Sequence, residues 1–203
     1  MESFSSQFLT DTLSVIGKLD QKEIENAVRI LRDTRERGGR LFLCGSGGGA
    51  GHASHATCDF RKLCGFEAYS VSDNISELTA RTNDDGWDTS YSNWLRASKL
   101  TEKDCLLFFS VGGGSIEPPV STNLVNAGLL AQEVGADIVS IVGRDGGQLK
   151  KMSSSTILIP TLDPKFVTPQ AEGLQAVVWH LLVSHPSLCV AEAKWESLVG
   201  TTK

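Results

Sequence analysis

Four side chains able to bind a metal or carry a proton stand in two pairs at helical spacings. His55 and Asp59 are four residues apart, so on a helix they point from one face and can share one divalent ion. Glu172 and His180 are eight apart in a segment that is otherwise apolar (Leu174, Val177, Val178, Trp179, Leu181, Leu182). Taken alone, the first pair reads as a surface hydrogen bond and His180 as a packed core histidine. Taken together, the four make a nitrogen and oxygen ligand set suited to zinc or a similar metal. Eight residues of helix span about 12 Å, so Glu172 and His180 of one chain reach one ion only with both side chains stretched. A ligand from a neighbouring subunit is easier, and the metal site therefore carries an oligomer with it.

A second kind of chemistry lies in two glycine-rich segments. Ser46-Gly47-Gly48-Gly49 follows the apolar run 40–44, and Ser110-Val111-Gly112-Gly113-Gly114-Ser115 follows the apolar run 105–109. Glycine lets backbone N–H groups converge on an anion at the start of the next helix, so two such loops side by side form a phosphate cradle without Lys or Arg. Each loop on its own is also an ordinary tight turn. Neither is a P-loop, because no Gly-Lys-Ser/Thr follows. A dinucleotide fingerprint fits poorly too, since Ser70, Val71 and Ser72 stand where an acidic residue is needed.

These loops require strands before them and helices after them, and the sequence alternates accordingly. Residues 6–16, 20–37, 50–64, 117–134 and 169–183 read as helices, the second capped by Asp20 and the last by Thr168 with Pro169 in its first turn. Residues 40–44, 66–71, 105–109, 137–142 and 156–160 read as strands, and 83–93 as loop giving way to helix. The expected fold class is α/β, a three-layer sandwich with a five-stranded, mainly parallel sheet flanked by helices. At 203 residues the chain has the size of one globular domain, divided into N-terminal helices over 1–37, an α/β core over 38–185 and a tail helix over 186–203.

Composition removes several function classes. A net charge of −5 and a pI near 5.4 give no basic footprint for nucleic acid or anionic lipid. No apolar run reaches the roughly 18 residues of a membrane span. The first residues, MESFSSQF, lack the pattern of a secretory signal. The five cysteines are odd in number and irregularly spaced, which fits reduced thiols in a cytoplasmic protein.

With these motifs in place, the sequence resembles the sugar isomerase (SIS) domain family and, within it, the sedoheptulose-7-phosphate or phosphoheptose isomerases. The resemblance rests on GSGGGAGHASHATCD at 45–59, TNDDGW at 82–87, FSVGGGS at 109–115 and the spacing from Glu172 to His180. It implies a flavodoxin-like SIS fold, with the N-terminal helices packing in a homotetramer that has sites between subunits. It also implies one zinc ion per site on His55, Asp59, Glu172 and His180. Where the family has Glu and Gln, this chain has Asp59 and Glu172; where it has Ser or Thr in the loops, this chain has Gly49, Val111 and Gly112.

The expected activity is conversion of sedoheptulose 7-phosphate to a D-glycero-D-manno-heptose 7-phosphate through an enediol, which needs a base near one carbon and an acid near the oxygens. Asp59 is the expected base, His180 the acid, and Asp84 assists ring opening. Ser46, Gly47, Gly48, Gly49, Asn83, Asp84, Ser110, Gly112, Ser115 and Glu172 are the expected substrate contacts. Two alternatives stand beside this reading: isomerisation of another sugar phosphate, and a non-catalytic tetramer of the same fold that binds the replication initiator.

Overall fold

The computed structural model describes residues 3–195. Two helices lead, α1 (Phe4–Ile16) and α2 (Gln21–Glu36), the second capped by Asp20, whose carboxylate accepts the Lys22 N–H. Then follow β1 (Leu41–Gly45), α3 (Gly48–Cys64), β2 (Ala68–Ser70), α4 (Ile75–Asp84), α5 (Trp87–Ala97) and β3 (Cys105–Ser110). The chain continues through α6 (Thr122–Val134), β4 (Asp137–Val142), α7 (Gly147–Met152), β5 (Ser155–Leu158) and α8 (Val167–Ser184). All strand pairs are parallel, in the order β2-β1-β3-β4-β5.

Strand alternation builds two cores, one on each face of the sheet. Leu41, Leu43, Cys105, Leu107, Phe109, Val139 and Ile141 face α2, α3 and α8. Phe42, Cys44, Leu106, Phe108, Ile138 and Val142 face α5, α6 and α7. Because both faces are covered, the strands read as continuous apolar runs. The result is the three-layer α/β sandwich expected. Its strand order reverses between β1 and β3, and at such a switch point ligands bind beyond the carboxyl ends of the strands. Gly45 lies beside Phe109 in the register, so both glycine loops leave the sheet at that point, side by side.

Several boundaries differ from the sequence reading. Residues 83–93 are almost wholly helical, because α4 ends and α5 begins around Asp85 and Gly86. The helix expected from 117 starts only at Thr122, since Ser115 and Val120 form an antiparallel bridge around Pro118 and Pro119. Thr168 does not cap the last helix; it lies inside α8, which continues from a 3-10 turn at Pro164–Phe166. Of the tail helix expected over 186–203, residues 186–193 are turns and irregular backbone, and 196–203 lie outside the described residues. Among the described residues, no helix is long and apolar enough to cross a membrane.

Cys44, Cys64 and Cys105 are buried free thiols. Burial pushes the Cys64 thiol up to about 12, which makes it inert as a nucleophile.

Candidate functional site

Packing of α3 against α8 brings one of the two ligand pairs to a residue of the other. A nitrogen of His55, a carboxylate oxygen of Asp59 and a nitrogen of His180 all lie within 4.8 Å of one another. His55 Nε2 is 3.9 Å from Asp59 Oδ2, as their spacing along the helix requires. The rings of His55 and His180 stand nearly perpendicular with centroids 5.7 Å apart. Trp179 lies beneath both, stacked on His180 at 3.5 Å and edge-on to His55 at 4.8 Å. Trp179 itself is buried, whereas His180 is exposed. His180 is therefore not a core histidine, although its helix is apolar.

The tautomer of His180 follows from its neighbour. Nδ1 is 2.7 Å from the Ala176 carbonyl oxygen, which can only accept, so Nδ1 carries the proton and neutral His180 keeps Nε2 bare. An imidazole whose second nitrogen donates to a carbonyl is oriented as a ligand or proton carrier. The two imidazoles and one carboxylate thus fit a divalent ion of the zinc type by donor chemistry and by mutual distance.

Glu172 is not in this group. Its carboxylate lies against the first turn of α3, with Oε1 2.5 Å from where a Cβ on Gly48 would stand. Glycine at 48 leaves that carboxylate its place at the positive end of the helix. His52, one turn before His55, is half-buried; burial lowers its pKa against the opposing pull of Glu172, and so favours the neutral ring.

The glycine loops come together as their strands require. Gly49 packs so tightly on β3 that a Cβ there would be 2.6 Å from the Phe109 carbonyl oxygen. A cavity of about 260 Å³ opens between the loops, lined by Ser46, Gly49, Ser110, Gly112 and Arg144 among others. The Ser110 hydroxyl accepts the Gly113 N–H at 3.0 Å. Ser115 does not join it: its hydroxyl donates to the Glu117 carbonyl, and it lines a neighbouring groove of about 740 Å³. Asn83 and Asp84 are exposed at the end of α4, bonded to each other at 2.8 Å. Among the described residues, no hydrogen bond or ion pair ties them to the histidines.

Three supporting residues escaped the sequence reading. The Asn123 amide donates to Ser46 Oγ at 2.9 Å while its own oxygen is buried and unpaired. Tyr91 donates to the Gly45 carbonyl at 2.6 Å, fixing the start of the first loop, and burial pushes its phenol up to about 12. Arg144 enters the cavity from the loop after β4. Their places in three dimensions, and no local pattern, single these out.

Comparison with known proteins adds to this geometry. Residues 6–143 match the SIS domain model. The chain is 35% identical over 195 residues to the lincomycin biosynthesis protein LmbN of Streptomyces lincolnensis, covering 91% of this chain and 67% of that protein. It is 30% identical over 167 residues to a phosphoheptose isomerase of Helicobacter pylori, covering 80% and 81% respectively. The structure of phosphoheptose isomerase GmhA from Neisseria gonorrhoeae shares the fold, with a TM-score of 0.76 over 88% of this chain and 95% of that one at 22% identity.

Proposed function

This chain belongs to the SIS domain family, and on that premise we propose that it is an aldose–ketose isomerase of a phosphorylated sugar. The substrate we propose is sedoheptulose 7-phosphate, and the product D-glycero-D-manno-heptose 7-phosphate. The observation that carries the reading is the meeting of His55 and Asp59, on the helix that begins at the first phosphate-type loop, with His180 of α8 within 4.8 Å. A base, an acid and a cation site beside an anion cradle are what proton transfer between adjacent hydroxylated carbons needs.

In the ketose-to-aldose direction the Asp59 carboxylate takes a proton from C1, leaving an enediol, and returns it to C2. The bare Nε2 of His180 carries the proton between the C1 and C2 oxygens. Asp84 assists ring opening from a neighbouring subunit, because among the described residues no hydrogen bond or ion pair ties it to the histidines of its own chain. A zinc-type ion held by His55, Asp59 and His180 would stabilise negative charge developing on the sugar oxygens. A residue whose free atom is spent on a metal cannot shuttle a proton at the same instant, so the transfer runs through Asp59 and His180 only while their free atoms are off the ion, and the roles pass to Glu172 when they are on it. Metal analysis of freshly purified protein should find about one divalent ion per chain, and His55→Ala should lose it. Equal metal content in both proteins would remove the cation from the site.

A second reading is the same chemistry on another sugar phosphate, because the chain is 35% identical to a protein named for lincomycin biosynthesis and 30% identical to one named for phosphoheptose isomerisation. Assaying sedoheptulose 7-phosphate beside shorter and longer ketose phosphates decides between them by kcat/KM.

The assembly we propose is a cytoplasmic homotetramer. Phe4, Leu9 and Leu13 of α1 are 71%, 62% and 69% exposed, and Val177 and Leu181 of α8 are open as well, an apolar surface that another subunit would cover. Light scattering at micromolar concentration should give four times the chain mass; a monomer would overturn the assembly and with it the placing of Asp84.

A further inference from the structure

We propose that Arg144 is the cation of the phosphate cradle, gripping the terminal phosphate of the substrate from the loop after β4. This inference rests on the cleft between the glycine loops being a phosphate site, as in the reading above. That cleft has a deficit of positive charge. The start of α3 already faces the Glu172 carboxylate, the start of α6, whose Ser121 and Leu124 line the cavity, brings only the partial charge of a helix end, and the loops contain no Lys or Arg. A dianion there needs a positive charge from another segment. Arg144 lines the cavity together with Ser46 and Ser110, and it also lines the larger groove beside it.

Three features hold it there. Arg144 rests over Gly112: a Cβ built on that glycine would lie at ordinary contact distance from it, 3.5 Å from Cδ and 3.7 Å from Nη1. The loop carrying Arg144 is clamped to the glycine loop by backbone bonds from Gly143 to Val111, Gln148 to Gly114 and Leu149 to Gly113, at 2.9 to 3.1 Å. The approach is so close that a Cβ on Gly113 would meet the Gly146 oxygen at 1.9 Å. Arg144 itself adopts φ +53°, in the left-handed region that an arginine rarely enters and that functional sites retain. Among the described residues no carboxylate pairs with it, so its fork of donors is available to a phosphate.

The test uses the full-length protein and inorganic phosphate as the probe, with binding measured by calorimetry at fixed salt. Arg144→Ala should weaken phosphate binding about 10- to 150-fold, the range for loss of hydrogen bonds to a charged group, and Arg144→Lys should recover part of it. Arg144→Gly suits the positive φ, so it removes the charge without backbone strain and should match Arg144→Ala. Lys151→Ala, in the same groove, should change affinity less than about threefold. With sugar phosphate, Arg144→Ala should raise KM by the same factor and leave kcat nearly unchanged. Unaltered phosphate affinity in Arg144→Ala and Arg144→Gly would overturn the proposal. So would an equal loss in Lys151→Ala, or a wild-type protein that binds no phosphate. Phosphate binding is read without turnover: if the wild type isomerises no sugar yet loses phosphate on Arg144→Ala, Arg144 stands and the reaction assigned above falls.

Discussion

His180→Gln should lower kcat by about 10²- to 10⁴-fold, the usual contribution of a positioned acid or base, and leave the fold intact. His180 is exposed and lies flat on Trp179, so the substitution opens no cavity. At most the stacking is lost, about 1 kcal/mol, which for a chain of this size lowers Tm by roughly 2–4 °C. Glutamine keeps a polar group of similar reach, so a histidine needed only for shape would tolerate the change with most turnover retained. What glutamine cannot supply is a bare ring nitrogen that takes and returns a proton. Normal turnover in this variant would pass proton transfer to Asp59 and Glu172 alone.

The largest expected loss of stability lies at the opposite end of the sheet, where Arg40 and Asp104 precede β1 and β3. Asp104 is 2% exposed; its carboxylate accepts from the Arg40 backbone N–H and guanidinium and from Thr101, at 2.8 to 3.1 Å. Burial alone would raise its pKa, but these donors outweigh burial and hold it below the ordinary 3.8. Asp104→Asn leaves the Arg40 charge without its partner, which for a buried pair costs about 3–5 kcal/mol. Because the Arg40 side chain stays 24% exposed, the lower end, about 3 kcal/mol, is expected from denaturant unfolding. The sign with pH follows from the depressed folded pKa: the contribution is fully present above the unfolded carboxylate value and is lost as pH falls through the folded one. Wild type and Asp104→Asn should therefore converge in stability below about pH 4. A constant difference between pH 7 and pH 3 would contradict this account of the pair.

The sheet was legible because both its faces are covered, which leaves runs such as Leu41-Phe42-Leu43-Cys44 with no polar interruption. The glycine loops were legible for a related reason: a strand that ends at a switch point must turn sharply into a helix. The short polar helix α4 was missed, although Asn74 and Glu77 form a capping-box pattern before it and Asn74 does cap it. The candidate site was legible only in part. His55 and Asp59 share a face of one helix, which spacing alone dictates. Their meeting with His180, and the separation of Glu172 toward Gly48, depend on how α3 and α8 cross, and no local pattern encodes that. Arg144 was invisible for the same reason, since nothing near it in sequence says that the loop after β4 folds onto the loop after β3.

Proton transfer between C1 and C2 of a sugar phosphate can be watched in sedoheptulose 7-phosphate incubated with the purified, metal-loaded protein in D₂O, by proton NMR. An aldoheptose phosphate signal should grow in, with deuterium entering at C2 of the aldose or C1 of the ketose, and neither should appear with His180→Gln on the same timescale. No aldose and no deuterium in sedoheptulose 7-phosphate or in any ketose phosphate of neighbouring length would contradict it.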